Sequence, residues 1–235
     1  MKIEYNNETI EFTIVYEERE TVGIKIDDIE GIIVVVPKQA DEKVIIDIVK
    51  SKAPLILQKL KESTETNPCI KEKKYENGEL FLYLGDQYAI QIIIDESIKK
   101  DIVKFKNGLI CITVRKSEKE AYKNSMEKFY KKKCRKKILE RIEYYQKYFK
   151  IKPKEIKIIE SKNKWGSCSS NRNINFNWRL IMAPIEVIDY IVVHEMCHLM
   201  HMNHSKSFWT LVGKIIPDYK QRSEWLKYNN SRMNI

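Results

Sequence analysis

The sequence predicts an α+β fold, in which a mostly antiparallel β region over residues 1–115 precedes a more helical region over residues 116–235. Two observations support this prediction. Apolar residues alternate with polar ones up to Val114, and from Ser117 onward they recur with the period of a helix. The chain of 235 residues is 43% hydrophobic, which is enough for one large domain or two small ones with a real core.

The first half of the chain begins with predicted strands and one helix. A strand is predicted from the alternating apolar residues Ile10, Phe12, Ile14 and Tyr16. The β-branched run from Ile32 to Val36 predicts another strand, and Pro37 stops it. Apolar residues at helical spacing then predict a helix over residues 41–62, which Pro54 would kink or divide.

Two Asn-Gly pairs mark turns in the rest of the β region. Asn77-Gly78 and Asn107-Gly108 each predict a hairpin turn, because the two central residues of the favoured turn type need a positive φ. Alternation over residues 80–92 and at Leu109–Val114 predicts the strands beside them. Residues 1–115 show no constellation of catalytic side chains, so we expect the chemistry of the protein in the second half.

The second half begins with a long predicted helix. A stripe of apolar residues predicts it over residues 117–149, and Pro153 lies beyond its end. Short strands are predicted near residues 156–158 and at Trp165-Gly166. The clearest strand of this half is predicted from Ile174 to Leu180, where apolar residues alternate with asparagine and arginine.

The net charge of +10 is concentrated in one segment, Arg115–Arg141, which contains twelve basic and four acidic residues. Such an excess attracts nucleic acid or another polyanion when it faces the solvent as a patch. The alternative interpretation is a lysine-rich helix face that is simply solvated. The sequence leaves both interpretations open.

Composition excludes several classes of protein. The N-terminus from Met1 to Glu8 is polar and lacks the apolar core of a signal peptide. The longest apolar run near the start, Gly31–Pro37, is too short to span a bilayer, so we expect a cytoplasmic protein with no membrane partner. The five cysteines are scattered without a C-x-x-C pair, which argues against a disulfide framework or a thiolate zinc site. We find no repeat of fixed period in the sequence.

The strongest functional signal is the H-E-x-x-H motif of residues 194–198, on a predicted helix that begins near Pro184. Residues i and i+4 lie on one face of a helix about 6 Å apart along its axis, so His194 and His198 can both bind one zinc ion at about 2 Å. Glu195 can then reach the activated water as a general base without binding the metal. All four histidines of the chain fall within residues 194–204.

A catalytic zinc site needs a third protein ligand, and His201 and His204 are both candidates. On a continuing helix His201 would lie about 10 Å along the axis from His194, which is too far for one ion that His198 also holds. His204 can return toward the metal if the helix ends and Met202-Asn203 supplies a turn. We therefore predict that His194, His198 and His204 bind zinc, and that His201 is a helix-end or cleft residue.

A further helix is predicted after the last histidine. Ser205 can cap it, and Pro217 ends it. We expect Phe208 and Trp209 on this helix to pack beneath the loop that carries the third ligand. Glu224 is another possible metal ligand, but its setting is more typical of a solvated helix residue.

Several of these stretches resemble the YgjP-like metallopeptidases, which are relatives of the SprT and WLM zincins. The specific matches are Trp165–Ser170, Asn177–Leu180, His194–His198, His204-Ser205 and Phe208-Trp209. Weaker matches in the first half are Val34–Pro37 and Tyr83–Gly85. The resemblance covers most of the chain and is specific over residues 164–209.

This resemblance implies a zincin-like catalytic domain, in which a small antiparallel sheet packs against the helix with the H-E-x-x-H motif. It also implies zinc bound by His194, His198 and His204, with Glu195 as the catalytic base. In zincins an edge strand pairs with an extended peptide substrate, and residues 165–178 are the nearest candidate for that strand here.

We expect a zinc-dependent peptidase that acts on exposed or unfolded polypeptide. Its candidate substrate-binding residues are Trp165, Ser167, Asn177 and His201. One alternative is a metal-dependent nucleotide phosphoanhydride hydrolase, in which the basic helix, Arg172 or Arg179 would bind phosphates, although the sequence has no P-loop. Others are a nucleic-acid-associated protease and a zinc-stabilised binding module, and the last has no use for Glu195.

Overall fold

A computed structural model describes residues 1–27, 29–65, 72–161 and 163–235, with the backbone alone for residues 61–65. Cys69 lies outside the described residues. The chain forms two compact units: Met1–Cys69 with Ser161–Ser167, and Ile70–Glu160 with Cys168–Ile235. The division predicted between residues 115 and 116, with a mostly-β region before it and a catalytic domain after it, stays a prediction.

The first unit is one sheet with one helix. Its elements are β1 (Lys2–Tyr5), β2 (Glu8–Glu17), β3 (Gly23–Asp27), β4 (Gly31–Pro37) and α1 (Glu42–Glu65). The strand order is β1-β2-β4-β3, with the central pair β2 and β4 parallel and both outer pairs antiparallel. The mostly antiparallel pairing expected for this half is confirmed, and the parallel centre was not foreseen.

Alternate residues of the sheet and one side of α1 form the core of the first unit. Its fully buried members include Phe12, Ile32, Val34, Val36, Ile45, Val49 and Ala53. The predicted helix is confirmed, and Pro54 does not divide it, because α1 runs unbroken from Glu42 to Glu65. Tertiary burial of an apolar helix face compensates for the backbone hydrogen bond that a proline removes.

The second unit begins with the same arrangement. Its first elements are β5 (Leu80–Tyr83), β6 (Asp86–Ile94), β7 (Ile102–Lys106), β8 (Leu109–Val114) and α2 (Lys119–Tyr145). The order β5-β6-β8-β7 again has a parallel central pair between antiparallel outer pairs. Two four-stranded sheets of identical topology, each followed by a helix, therefore occur in one chain.

One predicted hairpin turn is confirmed, and the other, Asn77-Gly78, is a turn that does not join two strands of a hairpin. Asn107 and Gly108, with φ of 52° and 73°, form the turn between β7 and β8. The turn between β5 and β6 is instead formed by Leu84 and Gly85, with φ of 52° and 93°. Asn77-Gly78 precedes β5, where the Asn77 side chain accepts a hydrogen bond from the amide of Ile92 at 2.6 Å.

The rest of the second unit supplies the helices around the H-E-x-x-H motif. Its strands are β9 (Glu155–Ile159) and β11 (Asn173–Asn177), and its helices are α3 (Ile185–Cys197), α4 (Lys206–Ile215) and α5 (Tyr219–Asn229). Short 3-10 helices cover Gln146–Tyr148, Trp178–Met182 and Asn230–Arg232. The short strand β10 covers Gly166–Cys168, where the chain passes from the first unit to the second.

The strand predicted from Ile174 to Leu180 is correct only as far as Asn177. β11 pairs in parallel with β9, whereas an antiparallel sheet was expected beside the motif helix, and a 3-10 helix then begins at Trp178. The Asn177 side chain accepts a hydrogen bond from the amide of Arg179 at 3.1 Å. An asparagine that caps the backbone two residues on competes with strand pairing, which explains where β11 ends.

None of the described helices combines the length and the apolar composition needed to cross a bilayer.

Candidate metal centre

Helix α3, which carries the H-E-x-x-H motif, is buried almost all round. All its residues from Val187 to Cys197 are buried, and it packs against α2, α4 and α5. Polar side chains enter such an apolar environment only where pairing or function requires them. His194 and Glu195 are 0% exposed and His198 is 2% exposed, so the polar residues of the motif are withdrawn from bulk solvent.

Three imidazole rings converge at the C-terminal end of α3. The ring nitrogens of His194, His198 and His204 lie within 4.8 Å of one another. The Nε2 atom of His194 is 3.3 Å from Nε2 of His198 and 3.1 Å from Nε2 of His204. In a tetrahedral zinc site with Zn–N bonds of about 2.05 Å, two nitrogens are about 3.3 Å apart. The three rings therefore have the spacing that one metal ion requires.

The end of α3 explains how the third histidine reaches the other two. The helix ends at Cys197, with His198 as its C-cap, and the amide of His201 donates to the carbonyl oxygen of Cys197 at 3.0 Å. The turn therefore begins at His198, earlier than the predicted turn at Met202-Asn203, where the chain has a bend. His201 consequently does not lie on a continuation of the helix.

His201 contributes its backbone to the centre. Its carbonyl oxygen lies 3.0 Å from Nδ1 of His198, the nitrogen that faces away from the other two rings. A carbonyl can only accept, so this contact places the proton on Nδ1 and leaves Nε2 with a lone pair for a metal. The residue pattern predicts a role only for the His201 side chain, whereas in the structure the contact is made by its main chain.

The floor of the centre is aromatic, as predicted for the helix after the last histidine. The ring of Phe208 on α4 lies 4.9, 4.5 and 4.7 Å, centroid to centroid, from His194, His198 and His204. Phe208 is 0% exposed. One apolar ring thus contacts all three imidazoles from one side, which excludes water from that side and keeps the rings in their rotamers.

Glu195 is the acidic residue of the H-E-x-x-H motif. It follows His194 on α3 and lies about 100° around the helix axis from it. Burial raises the pKa of the nearby Cys197 thiol to about 12, and the negative charge of Glu195 adds to this rise. A buried carboxylate next in sequence to a histidine of the cluster is a candidate general base.

An ion pair that sequence reasoning missed ties α3 to α2. Arg141 donates two hydrogen bonds to the Asp189 carboxylate, and the Tyr145 hydroxyl donates a third at 3.0 Å. Burial alone would lower the pKa of the Arg141 guanidinium, but the bonds to Asp189 outweigh it and hold that pKa above its usual range. The sequence does contain a signal for this pair. Asp189 lies within the apolar run of α3, and a buried carboxylate needs a charged or hydrogen-bonding partner.

The other predicted site residues are placed as follows. Trp165 and Ser167 belong to the first compact unit, where the amide of Trp165 donates to the carbonyl oxygen of Ile29 at 2.7 Å. Asn177 is buried in the second unit and caps the 3-10 helix before α3. Glu224 is exposed on α5 and lies outside the histidine cluster. Substrate binding by Trp165, Ser167, Asn177 or His201 stays a prediction.

Several arginines considered for phosphate binding already have protein partners. Arg179 pairs with Glu160 at 2.9 Å and stacks over the Trp178 ring at 4.4 Å. On α2, the Arg135 guanidinium donates to the carbonyl oxygen of Ile156 at 3.2 Å. The contact with Glu160 offsets the charge of Arg179, whereas the bond from Arg135 to a neutral carbonyl leaves its positive charge in place.

Comparison with known proteins agrees with the motif. Residues 20–229 match the family model described as YgjP-like, metallopeptidase domain. The chain belongs to the YgjP-like metallopeptidase family. Its fold is α+β with a zincin-like catalytic domain, as predicted, and its class is that of a metal-binding hydrolase.

Comparison with solved structures gives a partial similarity. The YgjP-like chain is similar to a structure described as the metallopeptidase zymogen of Pyrococcus abyssi abylysin, at 22% identity and a TM-score of 0.33. That similarity covers 38% of this chain and 87% of the other. No curated protein matches the chain at a comparable level of significance.

Proposed function

We propose that the protein is a zinc-dependent endopeptidase that cleaves exposed or unfolded polypeptide, with Glu195 as its general base. One observation carries this proposal. The Nε2 atom of His194 lies 3.3 Å from that of His198 and 3.1 Å from that of His204, and the residue after His194 on the buried helix is the buried Glu195. A purely structural site would have no use for that glutamate.

The donor set supports zinc as the metal. His194, His198 and His204 would supply three neutral nitrogens, a donor set that suits zinc. Catalytic zinc sites with three protein ligands use the remaining position for water or substrate. When bound, zinc lowers the pKa of a coordinated water to about 7 and polarises the carbonyl that is to be attacked. The buried surroundings strengthen both effects, because charges interact more strongly where water is excluded.

The residues of the chain have distinct tasks in this reaction. The three histidines hold the metal, and the His201 carbonyl orients His198. Glu195 accepts a proton from the attacking water and returns it to the amine that leaves when the peptide bond breaks. Residues Trp165, Ser167 and Asn177 are proposed to contact the extended substrate, as the edge strand does in zincins.

The family supports polypeptide as the substrate class. A peptide that pairs with an edge strand has to be extended, with its backbone N–H and C=O groups available for hydrogen bonds. Folded domains rarely offer such a segment, because most of their backbone groups are already paired. We therefore expect cleavage of unstructured segments in preference to folded proteins.

The test is digestion of a mixed library of unstructured peptides by the zinc-loaded protein, with products identified by mass spectrometry. Glu195→Gln is the inactive variant, and Glu224→Gln is its matched control, because Glu224 is exposed on α5. We expect wild type and Glu224→Gln to cleave alike, and Glu195→Gln to bind zinc but cleave about 10²- to 10⁴-fold more slowly. Equal cleavage by Glu195→Gln, or none by zinc-bound wild type, would contradict the proposal.

A nucleotide panel extends the same experiment to the alternative substrate class. If zinc-bound wild type leaves every peptide intact and instead hydrolyses nucleoside triphosphates in a manner that depends on Glu195, the metal site is right and the substrate class is wrong.

A further inference from the structure

The third histidine of the centre is one end of a stack of three aromatic rings. The His204 ring lies against Trp209 at 5.5 Å between centroids and an interplanar angle of 21°. Trp209 in turn lies against Tyr219 at 5.3 Å and again 21°. Trp209 is on α4 and Tyr219 begins α5, so the stack connects the loop that carries His204 to two helices.

His204 needs such support more than the other two histidines do. His194 lies within α3 and His198 is its C-cap, so the helix itself sets their positions. His204 lies on the segment between α3 and α4, which has no regular structure from His201 to Ser205 except a bend. A ligand on irregular backbone loses more side-chain freedom on binding a metal unless its neighbours fix its rotamer beforehand.

The far end of the stack is held in place as well. A Cβ atom at Gly213 of α4 would lie 3.5 Å from the Tyr219 ring, so that ring rests against the backbone of α4. Tyr219 also lies 6.3 Å from Tyr190 of α3, and Tyr190 meets the His194 ring edge-on at 6.0 Å. Ring contacts therefore connect His204, through Trp209, Tyr219 and Tyr190, to α3, the helix that contains His194.

We propose that Trp209 is a positioning residue for His204, holding its imidazole in the metal-binding orientation before the metal arrives. This inference rests on the proposed metal site. Trp209 would then raise metal affinity without touching the metal, because the His204 side chain loses its conformational freedom when the protein folds and not when the metal binds. Phe208 contacts all three rings, whereas Trp209 stacks face to face on His204 and contacts one other imidazole, that of His194, edge-on at 5.8 Å.

The experiment compares zinc affinity, measured by competition with a chromophoric chelator, in four full-length proteins. These are wild type, Trp209→Phe, Trp209→Leu and Trp225→Leu, the last being a control tryptophan on α5 with no ring contact to the histidines among the described residues. Thermal unfolding of each metal-free protein establishes that it is folded. We expect Trp209→Leu to bind zinc about 10- to 100-fold more weakly, with Trp209→Phe and Trp225→Leu close to wild type.

A second comparison separates positioning from general stabilisation. In a His204→Ala background, Trp209→Leu should cause no further loss of zinc affinity, because residues that act through one another are not additive. If Trp209→Leu proves unfolded, Tyr219→Leu removes the support behind the tryptophan and is expected to weaken zinc binding several-fold in the same His204-dependent way.

The outcomes distinguish this inference from the proposed function. Wild-type affinity in folded Trp209→Leu, or an equal loss with and without His204, would overturn the positioning role and leave the metal site intact. Failure of the wild-type protein itself to bind zinc would overturn both.

Discussion

The Nδ1 atom of His198 lies 3.0 Å from the backbone carbonyl oxygen of His201. This contact joins the two histidines through the main chain of one and the ring of the other. It fixes the tautomer of His198 and turns its Nε2 toward His194 and His204, so the side chain of His201 is not needed for the effect.

We therefore predict opposite results for the two histidines that follow the motif. His201→Ala keeps the carbonyl group and should change zinc affinity by less than about threefold, whereas His204→Ala removes a ligand and should weaken binding by at least about 100-fold. Zinc titration of the two variants in parallel checks this order. A larger loss in His201→Ala would mean that its side chain, and not His204, binds the metal.

Helical spacing was sufficient to predict that His194 and His198 lie together, and it was insufficient to predict the contacts that support the histidine cluster. The H-E-x-x-H motif lies on a helix as predicted because residue spacing on a helix is fixed by backbone geometry. The His201 carbonyl and the Arg141–Asp189 pair depend on where the chain turns and on which helix packs against α3. Neither property is periodic in sequence.

The repeated topology was hidden from the sequence for a similar reason. The two sheets share strand order and pair orientation, and their connecting loops differ by at most two residues, but the residues of the corresponding strands differ. Alternation predicts that a strand exists, and it does not state which strand will be its parallel neighbour. The misplaced hairpin turn at Asn77-Gly78 shows the same limit, because Leu84-Gly85 has the required backbone with a less typical sequence.

The turn at Gly85 supports the start of α3, the helix with the H-E-x-x-H motif. The amide of Gly85 donates to the carbonyl oxygen of Met182 at 3.1 Å, and a Cβ at Gly85 would lie 3.0 Å from the Cα of Pro184, which caps α3. Gly85 also has a φ of 93°, where side chains are strained. Its substitution therefore has two costs.

We predict that Gly85→Ala lowers the free energy of unfolding by about 2 to 3 kcal/mol, from backbone strain together with displacement of Pro184. Gly108→Ala is the matched control, because Gly108 has a φ of 73° but a Cβ there would meet no atom within 4 Å. It should cost only about 1 kcal/mol. Urea unfolding of both variants measures the difference, and equal losses would show that contact with Pro184 is unimportant.

The Arg141–Asp189 pair is predicted to stabilise α3 against α2. Side chains of the two residues are 16% and 9% exposed, so removal of one partner leaves the other poorly solvated. We expect Arg141→Met or Asp189→Leu alone to lower the free energy of unfolding by about 3 kcal/mol, and the double variant to lose less than the sum. Urea unfolding of the three variants completes the cycle. Additive losses would mean that the pair contributes no coupling energy.

The cysteines offer a chemical check on the packing of α2 against the rest of the second unit. Burial raises the pKa of the Cys134 thiol on α2 to about 12, whereas Cys111 on β8 is partly accessible. Because the thiolate is the reactive form, Cys134 should stay unmodified by iodoacetamide up to about pH 9 while Cys111 is alkylated. Unfolding in urea should make both thiols reactive. Peptide mass spectrometry of the labelled protein measures the two sites separately. Rapid labelling of Cys134 in the folded protein would show that α2 does not pack against the rest of the second unit as the structure has it.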